Sequence, residues 1–191
     1  MEPIALKRMR TNQIVITNGL VLLFLILFFF IILIFDVSLS VLFLFLGVFL
    51  LLQAVIGLLK GESTKRFISI FEQVAIYEKQ KMGKEWRKQR KTGYIWNFIL
   101  SAFMFLQYYL HWNSEDVVFQ LDYIFMFTVA ITAIIVVNIS LLLHFRKVDK
   151  ATSESDLKGY TWKTYFLSIV IGVVLGFLLF FFLLVYIIST I

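Results

Sequence analysis

The sequence has no cysteine, one proline and few charges. Without thiols it can hold no zinc-thiolate site, no redox dithiol and no cysteine nucleophile. The single proline, Pro3, lies outside every apolar stretch. Those stretches therefore lack the proline breaks found in the discontinuous helices of many transporters. Charged residues make up 16% of the chain, against roughly 25% in soluble domains. There is no GxSxG, no HExxH and no phosphate-binding glycine loop. No catalytic residue, metal ligand set or cofactor is expected on these grounds.

What fills the chain is apolar. Of its 191 residues, 61% are hydrophobic and 18% aromatic, and the mean hydropathy is +0.91. Soluble domains run nearer 45–50% apolar, roughly, so one small core cannot hide this excess and lipid is its natural solvent. A soluble enzyme, a disordered chain and a disulfide scaffold are excluded. The expected fold is an all-α integral membrane protein, a single membrane domain over 1–191.

A helix needs about 20 apolar residues to cross ~30 Å of hydrocarbon. Five stretches qualify, at 14–35, 37–59, 94–112, 123–145 and 165–188. The third is the least hydrophobic, because it carries Asn97, Ser101 and Gln107. The first two form one apolar run too long for a single crossing, and Asp36 with Ser38 supplies the polar break at which a tight hairpin is expected. The first stretch, at about 22 residues, exceeds the h-region of a signal peptide and is read as a retained span.

Charge orients the five-span transmembrane helical bundle. All 18 Lys and Arg fall in 1–13, 60–93 and 146–164, the cytoplasmic segments; the other side holds only the acids Asp36, Glu115, Asp116 and Asp122. The positive-inside rule places the N-terminus in the cytoplasm and the C-terminus outside a cell membrane. All four Trp (Trp86, Trp96, Trp112, Trp162) sit at or just beyond span ends, as an interfacial belt requires. In a soluble protein the formal charge of +6 would suggest nucleic acid. Here it is an address across the bilayer, and no nucleic-acid partner is expected.

The segment between spans two and three is the most informative. Phe67, Ile70, Phe71, Val74 and Tyr77 recur on one helical face, predicting a cytoplasmic amphipathic interfacial helix with that face toward lipid. Met82 and Trp86 extend the apolar contact, and Gly83 is a candidate break. Lys79, Lys81, Lys84, Arg87, Lys88, Arg90 and Lys91 follow with Glu85 the one acid among them. Such a cluster enforces topology and attracts anionic lipid headgroups or an acidic partner.

Polar and small residues inside the spans supply the remaining candidates. Gln53, Asn97, Ser101 and Asn138 share a depth in the cytoplasmic half and form an intramembrane polar layer, read first as glue between helices. Ser168, Gly172 and Gly176 make a small-residue ladder in span five, and Ser40, Gly47 and Ala54 another in span two. Both are expected to pack within the bundle, where small residues let backbones approach. His111 and His144 fall at opposite membrane faces and are read as separate interfacial residues. The leading functional expectation is a non-enzymatic accessory, regulatory or immunity-type partner of another membrane component. The alternative is a small permease or permease subunit using the polar layer.

Overall fold

The structure, a computed structural model, describes residues 2–35, 37–112 and 123–190. It comprises six α-helices and a 3-10 turn, with no strand among the described residues: α1 (Pro3–Phe35), α2 (Leu39–Lys60), α3 (Ser69–Met82), α4 (Lys84–Leu110), α5 (Tyr123–Lys150) and, after the turn Glu154–Leu157, α6 (Tyr160–Thr190). Four segments are long and apolar enough to cross a membrane: Pro3–Phe35, Leu39–Lys60, Met126–Lys150 and Glu154–Leu178. This is a membrane protein by the length and composition of its helices. The Asp36 hairpin break and the acids Glu115, Asp116 and Asp122 lie outside the described residues.

The helices outrun the apolar stretches on the basic side. At 1.5 Å per residue, α1 is about 50 Å long, well beyond the hydrocarbon thickness, and its first three turns carry Lys7, Arg8, Arg10 and Gln13. α4 and α5 likewise continue through Lys84–Lys91 and Arg146–Lys150. Hydropathy detects where lipid must be matched, whereas backbone hydrogen bonding continues the helix until a breaker stops it. The breakers are glycines in left-handed conformations. Gly61 (φ 49°) ends α2, and Gly83 (φ 52°) separates α3 from α4 and donates its N–H to the Lys79 carbonyl at 3.0 Å.

Two antiparallel pairs organise the bundle. α2 lies along α4 for most of its length. Gly57 lies under the Tyr94 ring, the Asn97 amide donates to Gln53 at 3.3 Å, the Ser101 hydroxyl donates to the Gly47 carbonyl at 2.8 Å, and Phe43 meets His111. Gly47 admits this approach because it has no side chain; a Cβ there would come within 3.1 Å of the Phe105 ring. α1 and α5 form the second pair. Asn18 and Asn138 exchange reciprocal amide hydrogen bonds at 3.0 and 2.8 Å. α6 runs parallel to α4 at its start, where Thr161 meets Glu85 and Tyr165 donates to the Gln89 carbonyl at 3.2 Å.

The two buried apolar clusters sit at the basic end. Ala75, Met82, Trp86, Val148, Ala151, Leu157 and Tyr160 form one buried cluster, and Met9, Ile70 and Val74 another. Here the structure corrects the orientation expected for the amphipathic helix. The expected stripe does not turn as a whole toward lipid: Ile70 and Val74 are buried against Met9 of α1, Phe71 and Tyr77 pack at the margin of that contact, and Phe67, fully exposed, precedes the helix, which starts at Ser69. The reason is the N-terminal extension of α1, which offers α3 a protein surface that hydropathy alone does not reveal.

The small-residue stripes also separate. Ser40 and Ala54 are buried, and Gly47 packs closely on α4. The α6 ladder does not pack against the described residues: a Cβ at Gly172 or Gly176 meets nothing within 4 Å among them, and Ser168 is exposed. Between Phe166 and Leu178 only Ile171 and Leu175 are even half-buried.

Candidate functional site

The most built part of the molecule is a buried charge network where α1, α3, α5 and α6 meet. Arg10 is its centre, with 7% of its side chain exposed. It donates Nη1 to Glu78 at 2.8 Å and to Gln13 at 2.9 Å, and it binds Asp149 through two nitrogens, Nη2 at 2.7 Å and Nε at 3.2 Å. The guanidinium carbon lies 4.3 Å from the Phe145 ring centroid, a cation–π contact. Glu78 continues the network to His144 Nε2 at 3.0 Å, and His144 Nδ1 meets the Tyr160 hydroxyl at 2.8 Å. Both ring nitrogens of His144 therefore have a polar partner, Nε2 at Glu78 and Nδ1 at the Tyr160 hydroxyl. No buried polar side-chain atom among the described residues lacks a partner.

The electrostatics follow from geometry. Burial alone would push the Glu78 carboxyl up, but hydrogen bonds and charge from His144 and Arg10 outweigh it and hold the group below the ordinary glutamate range. The network thus ties four helices through one ionised carboxylate. Tyr160 is buried in the apolar cluster, so the hydroxyl–imidazole–carboxylate series braces α3 and α5 against the start of α6.

Glu85 builds a second junction. Its carboxylate accepts from the Gly159 and Thr161 N–H groups, each at 3.2 Å, and from the Thr161 hydroxyl at 2.7 Å. It caps the start of α6 from another helix, where the free N–H groups and the helix dipole favour an anion. Burial raises the Glu85 carboxyl, and these donors more than reverse it, leaving it below its ordinary range. Asp156 does the same within its own turn: the Thr152 and Ser153 donors lower it to about 2.

The seven cations of the basic run divide by role. Lys79 donates to the Glu62 carbonyl at 2.9 Å, Lys81 to the Ala151 carbonyl at 2.7 Å, Arg87 pairs with Glu62 at 2.9 Å and Lys88 approaches Glu85 at 3.9 Å. Arg90 stacks on Trp86 at 4.6 Å and donates to the Ser63 carbonyl at 2.7 Å and the Tyr94 hydroxyl at 2.8 Å. Lys84 and Lys91 stand exposed. The four polar residues expected to share a layer are used in pairs: Gln53 with Asn97 and Ser101 with Gly47 join α2 to α4, while Asn138 joins Asn18 across α1 and α5.

Sequence reasoning passed over Arg10, Asn18, Glu78, Glu85 and Asp149, and took His144 for an isolated interfacial residue. The available signal was the lone acid in a basic stretch: Asp149 stands among Arg146, Lys147 and Lys150, and Glu85 within the cationic run. Topology rules discard acids, so that signal carries no weight when charge is read as an address. Comparison with protein-family models, curated proteins and solved structures finds no match for this chain.

Proposed function

We propose that this chain is a five-span protein of the cell membrane, N-terminus cytoplasmic and C-terminus outside, that serves as an accessory, regulatory or immunity-type partner of another membrane component. The fifth crossing is α4. It is less apolar than the other four, but it lies antiparallel to α2 from Tyr94 beside Gly57 to His111 beside Phe43 and so spans the same depth. Successive helices then alternate in direction, and every cation falls at one end. At the cytoplasmic face α3 lies at headgroup level, with Phe67 directed to lipid.

The observation that carries the partner reading is α6. Its start is locked to the cytoplasmic layer by Glu85, while its apolar length leaves the bundle with the Ser168–Gly172–Gly176 ladder unpacked. Small residues at that spacing suit close approach of a second helix. The permease alternative has weaker support, because its polar layer is consumed in two separate helix contacts. Catalysis is not part of the proposal. Affinity purification in mild detergent, with a photo-crosslinking residue beside Gly172, tests it. A discrete crosslinked partner that disappears in Gly172→Leu/Gly176→Leu is expected. No crosslink except to lipid, or a crosslink indifferent to those substitutions, would remove α6 as the docking helix.

A further inference from the structure

A cavity of about 580 Å³ opens between α3 and α4. Its polar wall includes Arg66, Gln89, Arg90, Tyr94 and Asn97, and its apolar wall includes Phe71, Val74 and Trp86. The two arginines differ from Arg10 in one respect: neither has a carboxylate within ion-pairing distance among the described residues. Arg90 uses three of its five N–H groups, on Ser63 and the Tyr94 hydroxyl, and Arg66 lines the same cavity. Glu78 reaches the cavity floor, but its charge is committed to Arg10 and His144. The cavity therefore presents two positive forks with donors to spare, beside an aromatic and aliphatic wall, where α4 passes from its cationic first turns into its apolar length.

We propose that this cavity is a binding site for the phosphate headgroup of an anionic phospholipid from the cytoplasmic leaflet. A phosphodiester matches paired guanidinium forks in geometry and charge, and basic pockets between helices on the cytoplasmic side recognise such headgroups. The apolar wall takes the glycerol and the first acyl carbons, which a free anion does not possess. The inference rests on the membrane orientation proposed above. It assigns a defined role to Arg66 and Arg90, and it leaves Lys84 and Lys91 as exposed charge that enforces topology.

The test uses the full chain, purified in a neutral detergent so that no charged surface exists, with bound lipid counted by native mass spectrometry. Phosphatidylglycerol is added against phosphatidylcholine, with glycerol 3-phosphate and inorganic phosphate as soluble arms. One phosphatidylglycerol is expected to bind in preference to phosphatidylcholine. Each lost guanidinium should weaken it about fivefold, the worth of one cation near an anionic headgroup, so Arg66→Gln/Arg90→Gln should lose about 25-fold. Lys84→Gln/Lys91→Gln should change it less than about twofold by the same comparison. Because Arg90 also braces Ser63 and Trp86, Arg66→Gln alone, with helical content and elution volume unchanged, is the control for folding. Three results would overturn the proposal: retained preference in the arginine variants, equal loss in the lysine variants, or competition by soluble phosphate at concentrations matching the lipid. A C-terminal topology reporter that reads cytoplasmic would instead remove the orientation on which the site is placed, leaving the lipid-binding result to stand on its own.

Discussion

Arg10→Met isolates the energetic role of the charge network. The side chain is 7% exposed and neutralises two carboxylates, Glu78 at 13% and Asp149 at 21% side-chain exposure. Met preserves much of the aliphatic packing against Phe145 and Tyr77 but leaves Asp149 with no cation and Glu78 with only His144. Removing one partner of a buried ion pair costs about 3–5 kcal/mol, mostly from the charge left behind. The same reasoning requires that Arg10→Met/Glu78→Gln/Asp149→Asn recover more than half of that loss, because the stranded charges are gone. Arg10→Lys should fall between wild type and Met, since an ammonium cannot bind Asp149 through two nitrogens while reaching Glu78. Unfolding in mixed micelles on titration with SDS, followed by far-ultraviolet circular dichroism, measures each variant. The pH response gives an independent arm. Glu78 has a depressed folded pKa, so its contribution is complete above the ordinary glutamate range and disappears as pH falls through the lower folded value. Glu78→Gln should therefore flatten the acid limb of the stability profile. An Arg10→Met loss below about 1 kcal/mol, the level of an exposed pair, or a triple variant as unstable as the single one, would refute the argument.

Three further outcomes follow from the packing. Gly57→Leu drives a side chain into the Tyr94 ring and should cost about 1–3 kcal/mol by overpacking, whereas Gly176→Leu meets open space and should leave monomer stability within about 0.5 kcal/mol in the same titration. Glu85→Gln weakens the cap on α6 and should cost about 1 kcal/mol; because the Glu85 carboxyl is depressed, the difference from wild type should shrink as pH falls below the glutamate range, and hydrogen exchange at Gly159 and Thr161 reads it locally. A phosphatase or fluorescent reporter fused after Ile191 should report the external side, and one inserted after Lys91 the cytoplasm; like signals from both would leave α4 or α6 outside the count of crossings.

Much of the architecture is legible without coordinates. Apolar length locates α1, α2, α5 and α6, because hydrocarbon tolerates no other composition over that distance. The weakness of the third stretch is also visible in advance: Asn97, Ser101 and Gln107 lower its hydropathy, and α4 is the long helix that falls short of the other four. The Gly83 break is readable from the residue itself. The orientation of α3 is not, because an amphipathic stripe records that a face is covered without recording by what. Two surfaces compete for it, lipid and protein, and α1 takes most of it with Met9. The ion network is less legible still. Arg10, Glu78 and Asp149 lie on three helices, and each looks like an ordinary interfacial charge until the helices are placed.

By itself, the sequence determines that this chain belongs in a membrane and which of its ends carries the cations, since both are one-dimensional properties of composition and spacing. Only the tertiary structure decides how those cations are spent: Arg10 in a buried brace, Lys79, Lys81 and Arg87 on local partners, Arg66 and Arg90 at a cavity without a carboxylate of their own. It also decides that the glycines of α2 are filled by Tyr94 and Phe105 while those of α6 face open space. The physical reason is range. Hydrophobic matching to a bilayer is set residue by residue along the chain, whereas ion pairing and close packing act over a few ångströms between helices that the sequence lists far apart.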